Sequence, residues 1–99
     1  KEKFMFRISR RAEYGIIATQ FMAKNREHLV SVKEIAESIK LSFDFLSKTL
    51  QALNKNGIVI SQKGINGGYM LARPPESISL YEIIDTLEEK KAIVECLEP

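Results

Sequence analysis

The fold turns on the stretch Lys63-Gly64-Ile65-Asn66-Gly67-Gly68-Tyr69. It holds three of the chain's five glycines, and apolar runs flank it: Ile58-Val59-Ile60 before, Tyr69-Met70-Leu71-Ala72 after. Glycine enters positive-φ turns readily and lets a backbone approach another surface closely. Two short apolar segments joined by such a turn read as a β-hairpin. Their alternation is imperfect, so this rests on β-branched content and turn chemistry. A phosphate-binding loop fails on spacing: no Gly-Lys-Ser/Thr follows, and Gly64-x-x-Gly67 opens no helix.

Upstream of the hairpin the apolar period becomes helical. Ser9 is a good cap for a first helix running to about Lys24, with Tyr14, Ile17, Ala18, Phe21 and Met22 recurring on one face. Asn25-Arg26-Glu27-His28 is a polar break. Ser31-Val32-Lys33-Glu34 has the form of a capping box, in which the glutamate reaches back to the cap, and the helix it opens is expected to bury Val32, Ile35, Ala36 and Ile39. After a tight connection at Lys40-Leu41, Ser42 caps a third helix with Asp44 in its first turn. Phe45, Leu46, Thr49, Leu50 and Leu53 form its inner face, and Asn56-Gly57 ends it. Downstream, Arg73-Pro74-Pro75 halts the second strand. Ser79-Leu80-Tyr81-Glu82 is a second capping box, opening a helix with Leu80, Ile83, Ile84 and Leu87 expected inward. Helix, helix, short turn, helix, hairpin, helix is the order of a winged helix-turn-helix, a mainly α fold with a small β-hairpin.

Ninety-nine residues at 44% apolar content make one domain with a modest core, and no apolar run approaches a membrane span. One cysteine excludes an intrachain disulfide; with no secretion-signal pattern, a cytoplasmic protein is expected. The overall charge of +2 conceals an asymmetry. Residues 1–73 carry 13 Lys/Arg against 6 Asp/Glu, net +7; residues 74–99 carry 2 against 7, net −5. A basic front suits an anionic partner.

Asp44, Ser47, Lys48 and Gln51 stand at i, i+3, i+4 and i+7 on the outer face of the third helix. In a major groove, lysine can donate to guanine O6/N7, glutamine can pair with adenine, aspartate can accept from cytosine N4, and serine can meet base or phosphate. Asp44 has a second reading as a helix-start charge, because phosphate repels a carboxylate. Lys63 and Asn66 flank the glycine tip, where a hairpin can enter a minor groove; the plainer reading is a turn and nothing more. Arg7, Ser9, Arg10 and Arg11 cluster where the first helix begins and can grip phosphates. No catalytic constellation is visible: His28 is the only histidine, Cys96 has no histidine near it, and paired carboxylates such as Asp85 and Glu88 read as helix surface. The chain does not read as an enzyme, and no metal-ligand spacing is recognisable.

Three segments now become recognisable together: Phe6-Arg7-Ile8-Ser9-Arg10-Arg11-Ala12-Glu13-Tyr14-Gly15, then Leu41-Ser42 through Lys55-Asn56-Gly57, then Gly64 through Arg73. They resemble the Rrf-two family of bacterial winged-helix transcriptional regulators, which includes sensors of iron–sulfur status, nitric oxide and cysteine metabolism. The likeness runs from about Phe6 to Cys96, and its Gly-x-x-Gly-Gly-Tyr wing is the most specific part. The resemblance implies a homodimeric regulator, usually a repressor, bound to double-stranded DNA at a palindromic operator. It implies that Ser42, Asp44, Phe45, Ser47, Lys48 and Gln51 face the major groove and that Arg7 meets backbone phosphate. Lys63 stands where an iron–sulfur member carries a minor-groove arginine, with Asn66, Gly67 and Tyr69 completing the wing.

The resemblance also gives Cys96 a meaning. It lies 27 residues after Tyr69, the spacing of a first cluster cysteine in the family. Glu13 stands where some relatives take an acidic cluster ligand from the partner subunit. Two further cysteines and a long dimerisation helix are absent from these 99 residues. The expected organisation is a winged helix-turn-helix DNA-binding domain over 1–91, with 92–99 the start of a truncated cluster-binding or dimerisation segment. An iron–sulfur cluster is then expected of the full-length protein and none of this chain. Two other readings stand beside the DNA-binding redox sensor: a winged helix used for protein–protein contact, and a thiol-only redox regulator acting through Cys96.

Overall fold

The computed structural model describes residues 8–88. Helix α1 spans Arg10–Lys24, α2 Val32–Ile39 and α3 Phe43–Lys55. Strands β1, Val59–Gln62, and β2, Gly68–Leu71, form the hairpin. A 3-10 turn, Pro75–Ser77, leads into α4, Leu80–Leu87. Among the described residues no helix is long and apolar enough to cross a membrane.

Each α-helix begins on a serine whose hydroxyl accepts a backbone N–H. Ser9 accepts from Ala12 (3.1 Å), Ser31 from Glu34 (2.9 Å), Ser42 from Phe45 (3.3 Å) and Ser79 from Glu82 (3.0 Å). Such caps contribute about 1 kcal/mol each. The reciprocal half of both capping boxes is put to other use. The Glu34 carboxylate stands 3.7 Å from His28 Nε2, and the Glu82 carboxylate pairs with Arg73. The second pair ties the segment after the wing to α4, because the Arg73 guanidinium also donates to the Ser77 carbonyl at 3.4 Å.

The tight turn between α2 and α3 is made by Lys40 in the left-handed region, φ 57 and ψ 48. Leu41 N–H donates back to the Ala36 carbonyl at 3.0 Å, the closure of a Schellman-type helix end, with lysine where glycine is the common choice.

The core joins Met22 of α1, Val30, Ile35 of α2, Leu46, Leu50 and Leu53 of α3, and Ile58 and Val59 at the hairpin base, all fully or nearly fully buried. The buried hydroxyls of Thr19 and Thr49 donate to the carbonyls four residues back, Gly15 and Phe45, at 2.7 and 2.9 Å, so neither is an unpaired polar group.

Two burial expectations are corrected. The innermost seam of α1 is Ala12, Gly15, Ala18, Thr19 and Met22, whereas Tyr14, Ile17 and Phe21 are half-buried. Small residues win the inside because α1 packs closely on α4: a side chain at Gly15 would collide with Leu87. Leu80 is 59% exposed rather than inward. It is the first residue of α4, where the helix stands clear of the core, and Ile83 and Leu87 do the burying.

The hairpin is antiparallel, with Val59 opposite Leu71, Ile60 opposite Met70, Ser61 opposite Tyr69 and Gln62 opposite Gly68. A third segment joins it at one point. Val30 and Tyr69 exchange both backbone hydrogen bonds, at 2.9 and 2.7 Å, which anchors the wing to the residues just ahead of α2.

Candidate nucleic-acid interface

Helix α3 meets the core along Leu46, Thr49, Leu50 and Leu53, and its opposite side is left to solvent. Ser42, Asp44, Lys48 and Gln51 are exposed and Ser47 is half-buried, with Gln51 Nε2 3.5 Å from Ser47 Oγ. These side chains form one polar strip along a rigidly seated helix. Phe45 takes the inner side that helical spacing assigns it, away from the groove-facing place that the family resemblance implies. It is half-buried, and its ring stacks on Tyr14 with centroids 4.8 Å apart and planes tilted by 38°. It packs α3 onto α1 instead of joining the outer strip.

The strip's apolar member is Phe43, 51% exposed in the first turn of α3. From the sequence, Phe43 is assigned to neither face of the helix. The available signal was spacing: Phe43 lies one helical turn before Ser47, on the polar stripe.

The wing presents Lys63, Gly64, Ile65 and Asn66 as its exposed tip, while Gly67, Gly68 and Tyr69 are half-buried. Gly64 takes a left-handed φ of 117, and Gly67 N–H closes the turn on the Gly64 carbonyl at 3.0 Å. Gly68 has a different role. A Cβ there would lie 2.5 Å from the Val30 carbonyl oxygen, so the bridge that anchors the wing requires a residue without a side chain. Burial raises the Tyr69 phenol above its ordinary value by disfavouring the charged form. Asn54 on α3 donates to Ser61 on β1 at 3.3 Å, linking helix and wing along their outer faces.

At the start of α1, Arg10 is exposed and Arg11 half-buried. The Ser9 hydroxyl oxygen is engaged as the helix cap, and Ser9 N–H donates to the Glu88 carboxylate at 3.1 Å. A protein carboxylate thus already occupies the backbone site that an anion would favour there. Arg7 lies outside the described residues.

For a metal, Glu13 is exposed on the first turn of α1 and Cys96 lies outside the described residues. Among the described residues no three His, Cys, Asp or Glu side chains converge to hold a metal ion. The arrangement that is present is a polar helix face beside a glycine-tipped basic hairpin, the geometry of a winged-helix nucleic-acid reader.

Comparison with known proteins agrees with that class. Residues 8–99 match the Rrf2 family, described as iron-dependent transcriptional regulator. The HTH-type transcriptional regulator NsrR of Bacillus licheniformis is 38% identical over 85 residues, covering 85% of this chain and 59% of that protein. The structure of CymR, the global cysteine regulator of B. subtilis, superposes with a TM-score of 0.81 at 35% identity, covering 85% of this chain and 66% of CymR. T. potens IscR superposes at 0.78 with 35% identity, covering 91% and 72%. The chain belongs to the Rrf2 family of DNA-binding, winged helix-turn-helix transcriptional regulators. It spans 57–60% of the length of the first curated relatives it matches.

Proposed function

We propose that this chain is the sequence-reading half of a transcriptional repressor that binds duplex DNA as a homodimer. The observation that carries this is the exposed strip on α3 standing beside the exposed wing tip, with Asn54 bonded to Ser61 between them. In this reading Asp44, Ser47, Lys48 and Gln51 meet major-groove base edges with Ser42 at the helix start, and Phe43 offers an apolar contact of the kind thymine methyl groups accept. Lys63 and Asn66 enter the adjacent minor groove, positioned by Gly67 and Tyr69. Arg7, Ser9 and Arg10 contribute phosphate contacts. Phe45 acts by holding α3 against α1.

Leu80 and Tyr81, 59% and 75% exposed at the start of α4, are the residues offered for a contact between two copies. A two-fold dimer would read half-sites of a palindromic operator about 34 Å apart, or a multiple of that. The proposed organisation is a DNA-binding unit over 1–91, with 92–99 opening the segment that dimerises and senses. Iron–sulfur status, nitric oxide or redox state are the proposed signals. Cys96 is the residue offered for sensing, and Glu13 a second candidate. No catalytic activity is proposed.

The test is fluorescence anisotropy of the full-length protein on duplexes selected from a randomised pool, read as a function of salt. A steep log–log slope is expected, and Lys63→Ala should flatten it by roughly one unit. A wild-type slope near zero would reject DNA reading. An unchanged slope in the variant would remove Lys63 from the interface.

A further inference from the structure

Ile65 is fully exposed, more so than any other large apolar side chain among the described residues. It does not project from a loose loop. The Gly67 N–H to Gly64 carbonyl bond closes a four-residue turn whose two corners are Ile65 and Asn66. Behind the turn, Gly68 lies close against Val30 and a side chain at Gly67 would collide with the Gln62 carbonyl, so the tip is carried on a closely packed backbone that leaves the isoleucine outward. A single exposed apolar residue is commonplace. This one crowns the wing, two residues after an exposed lysine and directly before an exposed asparagine.

We propose that Ile65 is the wing's groove-floor contact, seating against the minor groove of duplex DNA and favouring A·T over G·C base pairs there. The proposal deepens the DNA-reading function above and rests on it. An A·T floor presents only acceptors, whereas a G·C pair adds the guanine 2-amino donor. The isoleucine branch has no acceptor for that donor. Pressed against a G·C pair it strips water from the amino group and returns nothing, which is unfavourable. Against an A·T floor it covers no such donor and rests on the sugar walls of the groove. Its β-branch restricts χ1, so little rotamer freedom is lost on seating. Neighbouring Asn66 carries both a donor and an acceptor and accommodates either pair, which leaves the discrimination to Ile65. Lys63 supplies charge without sequence preference.

Inosine separates these effects, because an inosine·C pair keeps the major-groove face of G·C except for the missing minor-groove amino group. The full-length protein is titrated against a duplex selected from a randomised pool, with each A·T pair replaced in turn by G·C and by inosine·C. At the pairs beneath the wing, G·C should bind roughly ten-fold more weakly than A·T, and inosine·C should restore binding. Ile65→Ala should shrink the discrimination to within about two-fold and leave the salt slope unchanged. Full discrimination retained in Ile65→Ala, or inosine·C as poor as G·C, would overturn the proposal while the DNA-reading function stood on its salt slope. If the unsubstituted protein selects no duplex, or binds without salt dependence, both fall together.

Discussion

Helix α3 and the wing are the two arms of the proposed reader, and different physics holds each. Three leucines and a threonine bury one side of α3, so its outer strip is aimed by the core itself. The wing touches the core only at its base. Val59 is buried while the rest of β1 is exposed, and Leu71 alone is buried in β2. Beyond that base, the wing is held by the strand ladder, the Val30–Tyr69 bridge and the glycines that permit it. The helix therefore fails when the whole domain fails, whereas the wing can fail alone.

The largest effect expected from this contrast lies in α3. Leu50→Ala empties a fully buried position and should destabilise the protein by about 2–5 kcal/mol, lowering the urea midpoint and removing the helix signal and DNA binding together. A loss of DNA binding at unchanged stability would contradict the view of α3 as an extension of the core.

Gly68→Ala tests the other arm. The new methyl meets the Val30 backbone, which cannot step aside as a side chain can, and should cost roughly 1–3 kcal/mol. Hydrogen exchange should show protection lost at Val30 and Tyr69 and kept in α3. Equal loss in both would show that helix and wing open as one unit.

Lys48→Ala sharpens the comparison at the surface. Lys48 is exposed, so stability should move by less than about 0.5 kcal/mol. Discrimination at one base-pair position should fall by about 1–3 kcal/mol on base-permuted duplexes. A uniform loss over all duplexes would make Lys48 a phosphate contact instead.

The smallest effect is alkaline. The Tyr69 phenol is raised in the folded state by burial, so the stability it contributes is fully present below its unfolded value of about 10 and is lost as pH rises through the folded value. Denaturation profiles of the wild type and Tyr69→Phe should diverge above about pH 10, the wild type falling more steeply. Parallel profiles would show that the wing base does not hold the phenol in its neutral form.

The elements themselves were legible from local chemistry. Four serines in capping positions marked four helix starts, and Gly64 with Gly67 and Gly68 marked the turn. Asp44, Lys48 and Gln51 were legible as an outer strip because helical spacing alone separates them from Leu46 and Leu50. The α1 interior was not legible. A period count favours large apolar residues, yet close packing on α4 put Ala12, Gly15 and Ala18 innermost. Phe43 and Phe45, by contrast, divide as helical spacing divides them: Phe43 is half-exposed in line with Ser47, and Phe45 is stacked on Tyr14.

What the sequence determined by itself was the order of elements, the glycine turn and the polar face of α3, because caps, turns and period depend on neighbours a few residues apart. Tertiary structure alone decided the rest. It used Gly68 as the seat for Val30, a residue 38 positions away. It set the Glu34 carboxylate beside His28, paired Glu82 with Arg73, and placed Glu88 at the start of α1. It also left Ile65 exposed at an outward corner of the wing. These are contacts between distant segments, and only the packed chain sets their distances.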